Sequence, residues 1–289
     1  MVDREPVLVI GASGRVGGEV ARLLLARGES VRAFTRDASK VHALVSAGAE
    51  VCIGDLGDRA SVVRALAGVR RAMLLSALDP PKLAHAPLFA EEARRLGLLR
   101  IVNISGKGAA AEAPVEVLRW HARADQALDA VRLPVVHLRP GTFMQNLLED
   151  AGSVRERSVL PNPFGRGRVP WIDARDVAAA AAHLLCEDVP LPDCPAITSN
   201  DCVTMADVAR LLENLLGREV RLEDRSPAAM RASLLAWGVP DSIAAPMEEI
   251  YTFYREGNRP ESTPDFQRLM GRPPRGLETF LRDHLEAFR

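Results

Sequence analysis

Short apolar runs recur through the first half of the chain, separated by stretches whose apolar residues fall at helical spacing. The runs are "VLVI" at 7–10, "VRAF" at 31–34, "EVCI" at 50–53, "RAMLLS" at 71–76, "RIVNIS" at 100–105 and "VVHLR" at 135–139. Between the first two, Val16, Val20, Leu23 and Leu24 keep a period of three to four, which predicts a helix with one buried face. Apolar strands that alternate with such helices predict a parallel sheet covered on both sides. The expected fold class is α/β, a doubly wound parallel Rossmann-type sheet.

The rhythm changes after Gly141. The stretch "LPNPFGRGRVPWIDARD" at 160–176 contains Pro161, Pro163 and Pro170. Each removes a backbone donor and fixes φ, so a loop crossing toward a ligand cleft is expected there. Asp173 and Asp176 then open an Ala-rich helix as N-cap and N3 acid. A strand candidate "AIT" (196–198), a helix from near Thr204, a strand "EVRLED" (219–224) and mostly helix follow. This order predicts a sheet domain over 1–150 and a smaller, mainly helical C-terminal region over 151–289, with 171–198 returning to the sheet.

Composition narrows the partners. At 289 residues the chain is long enough for one large core or for a main domain with a smaller one. The net charge of -1 offers no excess of either sign for steering toward nucleic acid or an anionic membrane. No apolar run reaches the roughly 20 residues that span a bilayer. The four cysteines form no C-x-x-C pair, and Asp3, Arg4 and Glu5 lead straight into a strand, so a cytoplasmic protein without a leader is expected. The six histidines are scattered with no H-x-H or H-x-x-x-H pair, so no metal site is expected. A small molecule is the expected partner, bound by a monomer or homodimer.

The candidate chemistry begins at "VLVIGASGRVGGEVARLL". Gly11, Gly14 and Gly17 stand between a buried strand and a helix. There the chain must turn sharply, let a pyrophosphate approach the backbone, and let the helix pack close. The turn, with Ser13, Arg15 and Val16, therefore predicts a dinucleotide site with the phosphates at the helix N-terminus. At the tip of the second strand "FTRD" places Arg36 where an acid would bind the ribose 2′-hydroxyl of NAD. A guanidinium matches a 2′-phosphate instead, so NADPH is expected and NAD less so. Asp37 is read as the N-cap of the next helix; were it the inward residue, NAD would be preferred.

With "GASGRVG", "TRD", "GDLGD" (54–58), "VNISGKGA", "HLRPGTFMQNLL" (137–148), "VPWIDARDVAAAA" and "LMGRPPRGLETFLRDH" in hand, the chain resembles the NmrA-like group of atypical short-chain dehydrogenases/reductases over nearly its whole length. The resemblance implies that the turn glycines and Arg36 hold NADPH, that Asp55 and Leu56 contact the adenine, and that Ser76, Ala77 and Leu78 line the riboses. It further places Ser105 and the segment of Pro140, Gly141 and Phe143 at the cofactor. It sets Phe143, Met144, Asn146 and Trp171 around the substrate, with core packing as the plain alternative for Phe143 and Met144. The group includes quinone and azo-type reductases, enzymes reducing aromatic or polyketide intermediates of secondary metabolism, and proteins that bind the dinucleotide only to sense redox state.

One expected feature is missing. An ordinary short-chain dehydrogenase carries a Tyr and, one turn later, a Lys on the helix that here reads "LRWHARADQAL" (118–128). Tyr251 and Tyr254 lie far downstream and are followed four residues later by Arg255 and Asn258. His121 and Asp125 share one helical face. They form either a proton donor with its orienting carboxylate or a plain hydrogen-bonded pair. A quinone needs neither, since the phenolate left by hydride addition is protonated by water. The leading expectation is an NADPH-dependent reductase of a quinone-like or aromatic small molecule. A redox sensor without turnover and a non-redox dehydration, isomerisation or epimerisation are the alternatives.

Overall fold

The apolar runs of the first half pair in the computed structural model as parallel neighbours; residues 5–75, 85–187, 194–258 and 261–289 are described. The strands are β1 (Val7–Ile10), β2 (Val31–Thr35), β3 (Glu50–Ile53), β4 (Arg71–Leu74), β5 (Arg100–Ile104), β6 (Val135–Pro140), β7 (Thr142–Phe143), β8 (Val159–Asn162), β9 (Trp171–Ile172), β10 (Ala196–Ile197) and β11 (Arg221–Asp224). Seven of them form one sheet in the order β10-β6-β5-β4-β1-β2-β3. Every residue of β1 is buried, as a central strand covered on both faces requires. At the free edge the pattern relaxes, and Ile53 of β3 is 57% exposed.

The chain runs outward from β1 through β2 to β3, then returns to lay β4 on the other side of β1. In open α/β sheets such a reversal leaves a crevice at the carboxyl ends of the two strands, where ligands bind. The predicted glycine turn leaves β1 at that point.

Helices follow the strands as the periodicity predicts: α1 (Arg15–Ala26), α2 (His42–Ser46), α3 (Arg59–Leu66), α4 (Ala86–Arg95) and α5 (Glu116–Asp129). Val16, Val20 and Leu24 form the buried stripe of α1. Asp58 caps α3 by accepting from the N–H groups of Ala60 and Ser61. Beyond β6 come α6 (Ala151–Arg157), α7 (Ala174–Cys186), α8 (Met205–Leu216), α9 (Pro227–Ala236), α10 (Asp241–Arg255), α11 (Asp265–Met270), α12 (Leu277–Asp283) and α13 (Leu285–Phe288). Thr204 and Asp207 form a reciprocal capping box on α8, and Gly217 ends it in the left-handed conformation.

The chain divides into two compact units, one of residues 1–113, 118–139 and 175–196, the other of 114–117, 140–174 and 197–289. The first is built on Leu8, Phe34, Leu74, Phe89, Ile101 and Leu128. The second has its own core, including Leu160, Phe164, Trp171, Val208, Leu212 and Phe280, and its regular structure is mainly helical.

The Pro-rich stretch is more regular than its composition suggests, because β8 runs through Pro161 parallel to β11. The carbonyls of Ser158 and Asn162 accept from Arg221 and Arg225, so alternate residues face β11 and Pro161 turns its missing N–H away. Asp173 directly precedes α7, and Asp176 sits in its first turn. Gln145 bridges this start, donating to Asp173 Oδ1 and accepting from Ala174 N, each at 2.9 Å.

Candidate functional site

The chain leaves β1 through Gly11, whose φ of +82° lies in the left-handed region that glycine enters freely. A Cβ on Gly17 would stand 2.2 Å from the Gly11 carbonyl oxygen, so only glycine lets α1 close on the turn. Gly14 is different. A Cβ there would meet nothing nearer than that same oxygen at 3.3 Å. Gly14 is the N-cap of α1, whose first N–H groups receive no capping side chain and whose first turn holds no acid. Ser13, Gly14 and Arg15 are exposed, while Val16 is buried. A helix start with no capping side chain and no first-turn acid, its positive dipole end and the exposed backbone of Gly14 fit a pyrophosphate.

At the tip of β2, Thr35 Oγ1 accepts from Asp37 N at 3.1 Å. The Asp37 carboxylate accepts from Ser39 Oγ at 2.7 Å and Ser39 N at 3.0 Å, and these bonds hold it below its ordinary pKa. Asp37 thus caps the 3-10 helix Ala38–Val41. Arg36 is exposed and makes no hydrogen bond or ion pair with any described residue, which leaves its guanidinium for an incoming anion. Just past β3, Asp55 is exposed and accepts from Gly57 N at 2.8 Å. Leu56 packs partly into the core of the sheet unit. Ser76, Ala77 and Leu78 lie outside the described residues.

The helix that lacks Tyr and Lys covers a buried polar cluster at the ends of β5 and β6. Asp125 is its hub. Its Oδ1 accepts from Asn103 Nδ2 at 2.8 Å and lies 3.2 Å from His137 Nδ1, which is also 3.0 Å from Asn103 Nδ2. Its Oδ2 accepts from Ser105 Oγ at 2.9 Å and Arg139 Nη2 at 3.0 Å. His137 Nε2 lies 2.9 Å from Asp129 Oδ1, so the ring bridges two carboxylates. Burial pushes the His137 pKa down, but the hydrogen bonds and charges of Asp125 and Asp129 outweigh it and the net shift is upward. Burial likewise pushes Asp125 up, and the His137, Ser105 and Arg139 contacts bring it below its ordinary value. The cluster is a charged assembly around one carboxylate, with Arg139 Nε buried and without a hydrogen-bond partner among the described residues.

His121 does not join it. Its ring lies beside Gly106, where a Cβ would come within 2.9 Å of His121 Cδ2. Burial lowers its pKa, the Asp125 charge opposes this and Arg139 reinforces it, for a net fall. The imidazole is neutral at neutral pH. The expectation that Asp125 orients His121 is corrected, because donors from β5 and β6 already occupy both oxygens of that carboxylate. Ser105, expected at the cofactor, gives its hydroxyl to the same hub and keeps only its backbone for another role.

Asn103, His137 and Arg139 escaped the sequence reading. The signal was present: Asn103 and His137 interrupt two apolar strands at positions that pair in register, and buried polar side chains require partners.

In the second unit Phe143 and Asn146 are half-buried, and Asn146 makes no hydrogen bond with any described residue. Met144 and Trp171, expected around the substrate, are 0% and 2% exposed. They are taken into the core, where Trp171 meets Phe164 edge-on at 6.1 Å. Pro140 is buried, and a Cβ on Gly141 would stand 2.0 Å from the Pro170 carbonyl oxygen. The Tyr254 hydroxyl is 3.5 Å from Thr142 Oγ1. Among the described residues no group of His, Cys, Asp and Glu could hold a metal, and no helix is long and apolar enough to cross a membrane.

The sequence model described as the NmrA-like family matches residues 3–281. The chain belongs to the NmrA-like family. It is 31% identical over 282 residues to an NAD(P)H azoreductase of Xenophilus azovorans, covering 98% of this chain and 99% of that one. It is also 31% identical to a (4-alkanoyl-5-oxo-2,5-dihydrofuran-3-yl)methyl phosphate reductase of Streptomyces griseus, covering 98% and 99%. Its fold matches that of an NADPH-dependent quinone oxidoreductase of Escherichia coli solved with NADPH, with a TM-score of 0.85, 23% identity, and coverage of 97% and 99%.

Proposed function

We propose that this NmrA-like protein is an NADPH-dependent reductase of quinone-like or other extended aromatic small molecules. The observation that carries the cofactor choice is the diversion of Asp37 into a helix cap, which leaves Arg36 uncommitted at the strand tip. Relatives named as NAD(P)H azoreductase and dihydrofuranone-phosphate reductase support the reaction class.

In this reading the N-terminal turn of α1 and the exposed backbone of Gly14 hold the pyrophosphate, and Arg36 holds the 2′-phosphate. Asp55 and Leu56 border the adenine, and Pro140, Gly141 and Phe143 the nicotinamide. Bound NADPH supplies a hydride. Phe143 and Asn146 orient the acceptor, Asn146 through an amide that no other described residue uses. His121 is neutral and Asp125 is a carboxylate already saturated with donors, so neither delivers a proton from a charged acid near neutral pH. That favours acceptors whose reduced form needs little help, such as a quinone carbonyl that becomes a phenolate and takes its proton from water.

Oxidation of NADPH and of NADH is to be followed by cofactor absorbance against a benzoquinone, a naphthoquinone and an azo compound. Turnover of at least one acceptor with preference for NADPH is expected. Tight NADPH binding with no oxidation by any acceptor would overturn the reductase assignment.

A further inference from the structure

Within the second unit, where α9 and α10 pack together, a cavity of about 460 Å³ opens. That is inside the ~300–1,000 Å³ range of small-molecule sites. Its floor is apolar, formed by Val115, Ala245 and the half-buried ring of Phe253. Phe253 is fixed by an edge-on contact with Tyr254, centroids 5.5 Å apart. Its polar wall carries Glu248, Glu249 and Glu256 against a single guanidinium, Arg231.

That guanidinium is already spent. Arg231 donates to Asp241 through Nε at 2.9 Å and Nη2 at 3.0 Å, and to Glu248 through Nη1 at 3.1 Å. Glu249 receives only the backbone N–H of Glu116, at 2.7 Å, a bond that leaves its charge uncompensated. Glu256 makes no hydrogen bond or ion pair with any described residue. Two carboxylates with no counter-ion among the described residues thus line a cavity that also offers an aromatic ring and aliphatic walls. An acidic face open to water has no such floor. An anion would meet like charge here, and a small hydrated cation would leave the ring unused. An ammonium with an organic body satisfies both parts.

We propose that this cavity binds organic cations, with the ammonium held by Glu249 and Glu256 and the body against Phe253 and Val115. The inference does not rest on the reductase reading, because binding is measured without NADPH. The full chain is titrated by calorimetry with benzyltrimethylammonium, with the phenylmethanesulfonate anion and with neutral benzyl alcohol. Saturable binding of the ammonium alone is expected, weakening as salt rises. Glu256→Gln, Glu249→Gln and Phe253→Leu should each weaken it about two- to fivefold. Glu256 is exposed, so Glu256→Gln and Glu256→Lys should melt like the wild type, and Glu256→Lys should lose the ammonium and gain the sulfonate. The proposal is overturned if the sulfonate or the alcohol binds the wild type as well as the ammonium does, if nothing binds at millimolar concentration, or if the glutamate variants bind the ammonium unchanged.

Discussion

Replacing Arg36 by alanine is expected to erase a preference for NADPH while leaving NADH binding and the fold intact. The side chain is exposed and has no partner among the described residues, so its removal strands no buried group and costs the folded state little. A charge-assisted contact to a phosphate contributes ~1.5–3 kcal/mol. Since about 1.4 kcal/mol is a factor of ten, the NADPH dissociation constant should rise about ten- to a hundredfold. Exposure and screening favour the lower end. Fluorescence titrations of both cofactors on both proteins, at low and high salt, measure it. Wild-type NADPH binding should also fall with salt more steeply than that of the variant. Arg36→Lys should recover part of the loss, keeping the charge without the fork. Equal wild-type affinities for NADPH and NADH, or equal weakening of both in Arg36→Ala, would refute the assignment of Arg36 to the 2′-phosphate.

Gly14→Val should fold and fail to bind NADPH, whereas Gly17→Val, whose Cβ would stand 2.2 Å from a carbonyl oxygen, should fail to fold stably; circular dichroism beside a binding titration separates the two. His121→Ala should leave kcat for a quinone within about threefold, with no fall in wild-type rate as pH rises through the imidazole range, and a pH-dependent loss of ~10²-fold or more would make His121 the acid after all. Asp125→Asn should cost about 2–3 kcal/mol in urea unfolding, because it leaves the part-buried Arg139 without its counter-ion and His137 with Asp129 alone, and a loss below about 1 kcal/mol would refute the hub. The linked pH profile has two limbs. The His137 contribution is complete below the unfolded value of 6.5 and is lost as pH rises through the higher folded value. The Asp125 contribution is complete above the unfolded value of 3.8 and is lost as acid passes the lower folded one.

The strands of the first half were legible because a central parallel strand buries both faces, so "VLVI" carries its assignment in its own composition. The glycine turn was legible for a related reason: Gly11 and Gly17 answer steric demands that no other residue meets. The roles of His121 and Asp125 were not legible. Helical spacing places two residues on one face, but it does not say which strand residues reach that face first, and Ser105, Asn103, His137 and Arg139 come from strands that pair only in the folded sheet. Met144 packs in the core, the alternative its sequence left open, and Trp171 packs there too, since an apolar side chain beside a ligand site and one in a core have the same sequence appearance. Pro161 was read as a strand breaker, yet on a two-stranded ladder the residue facing away has no donor to lose.

The occupied carboxylate of Asp125 also bears on how this helix can be re-engineered. Installing a tyrosine at 121 and a lysine at 125 would not recreate a dehydrogenase acid, because the lysine would place a third cation beside Arg139 and His137 and remove the one anion both share. A workable graft would have to neutralise those two side chains in the same step, each of them destabilising if changed alone. The route back to the Tyr/Lys chemistry is therefore closed to single substitutions, and selection for new substrates has an easier path through Phe143 and Asn146, which no buried charge depends on.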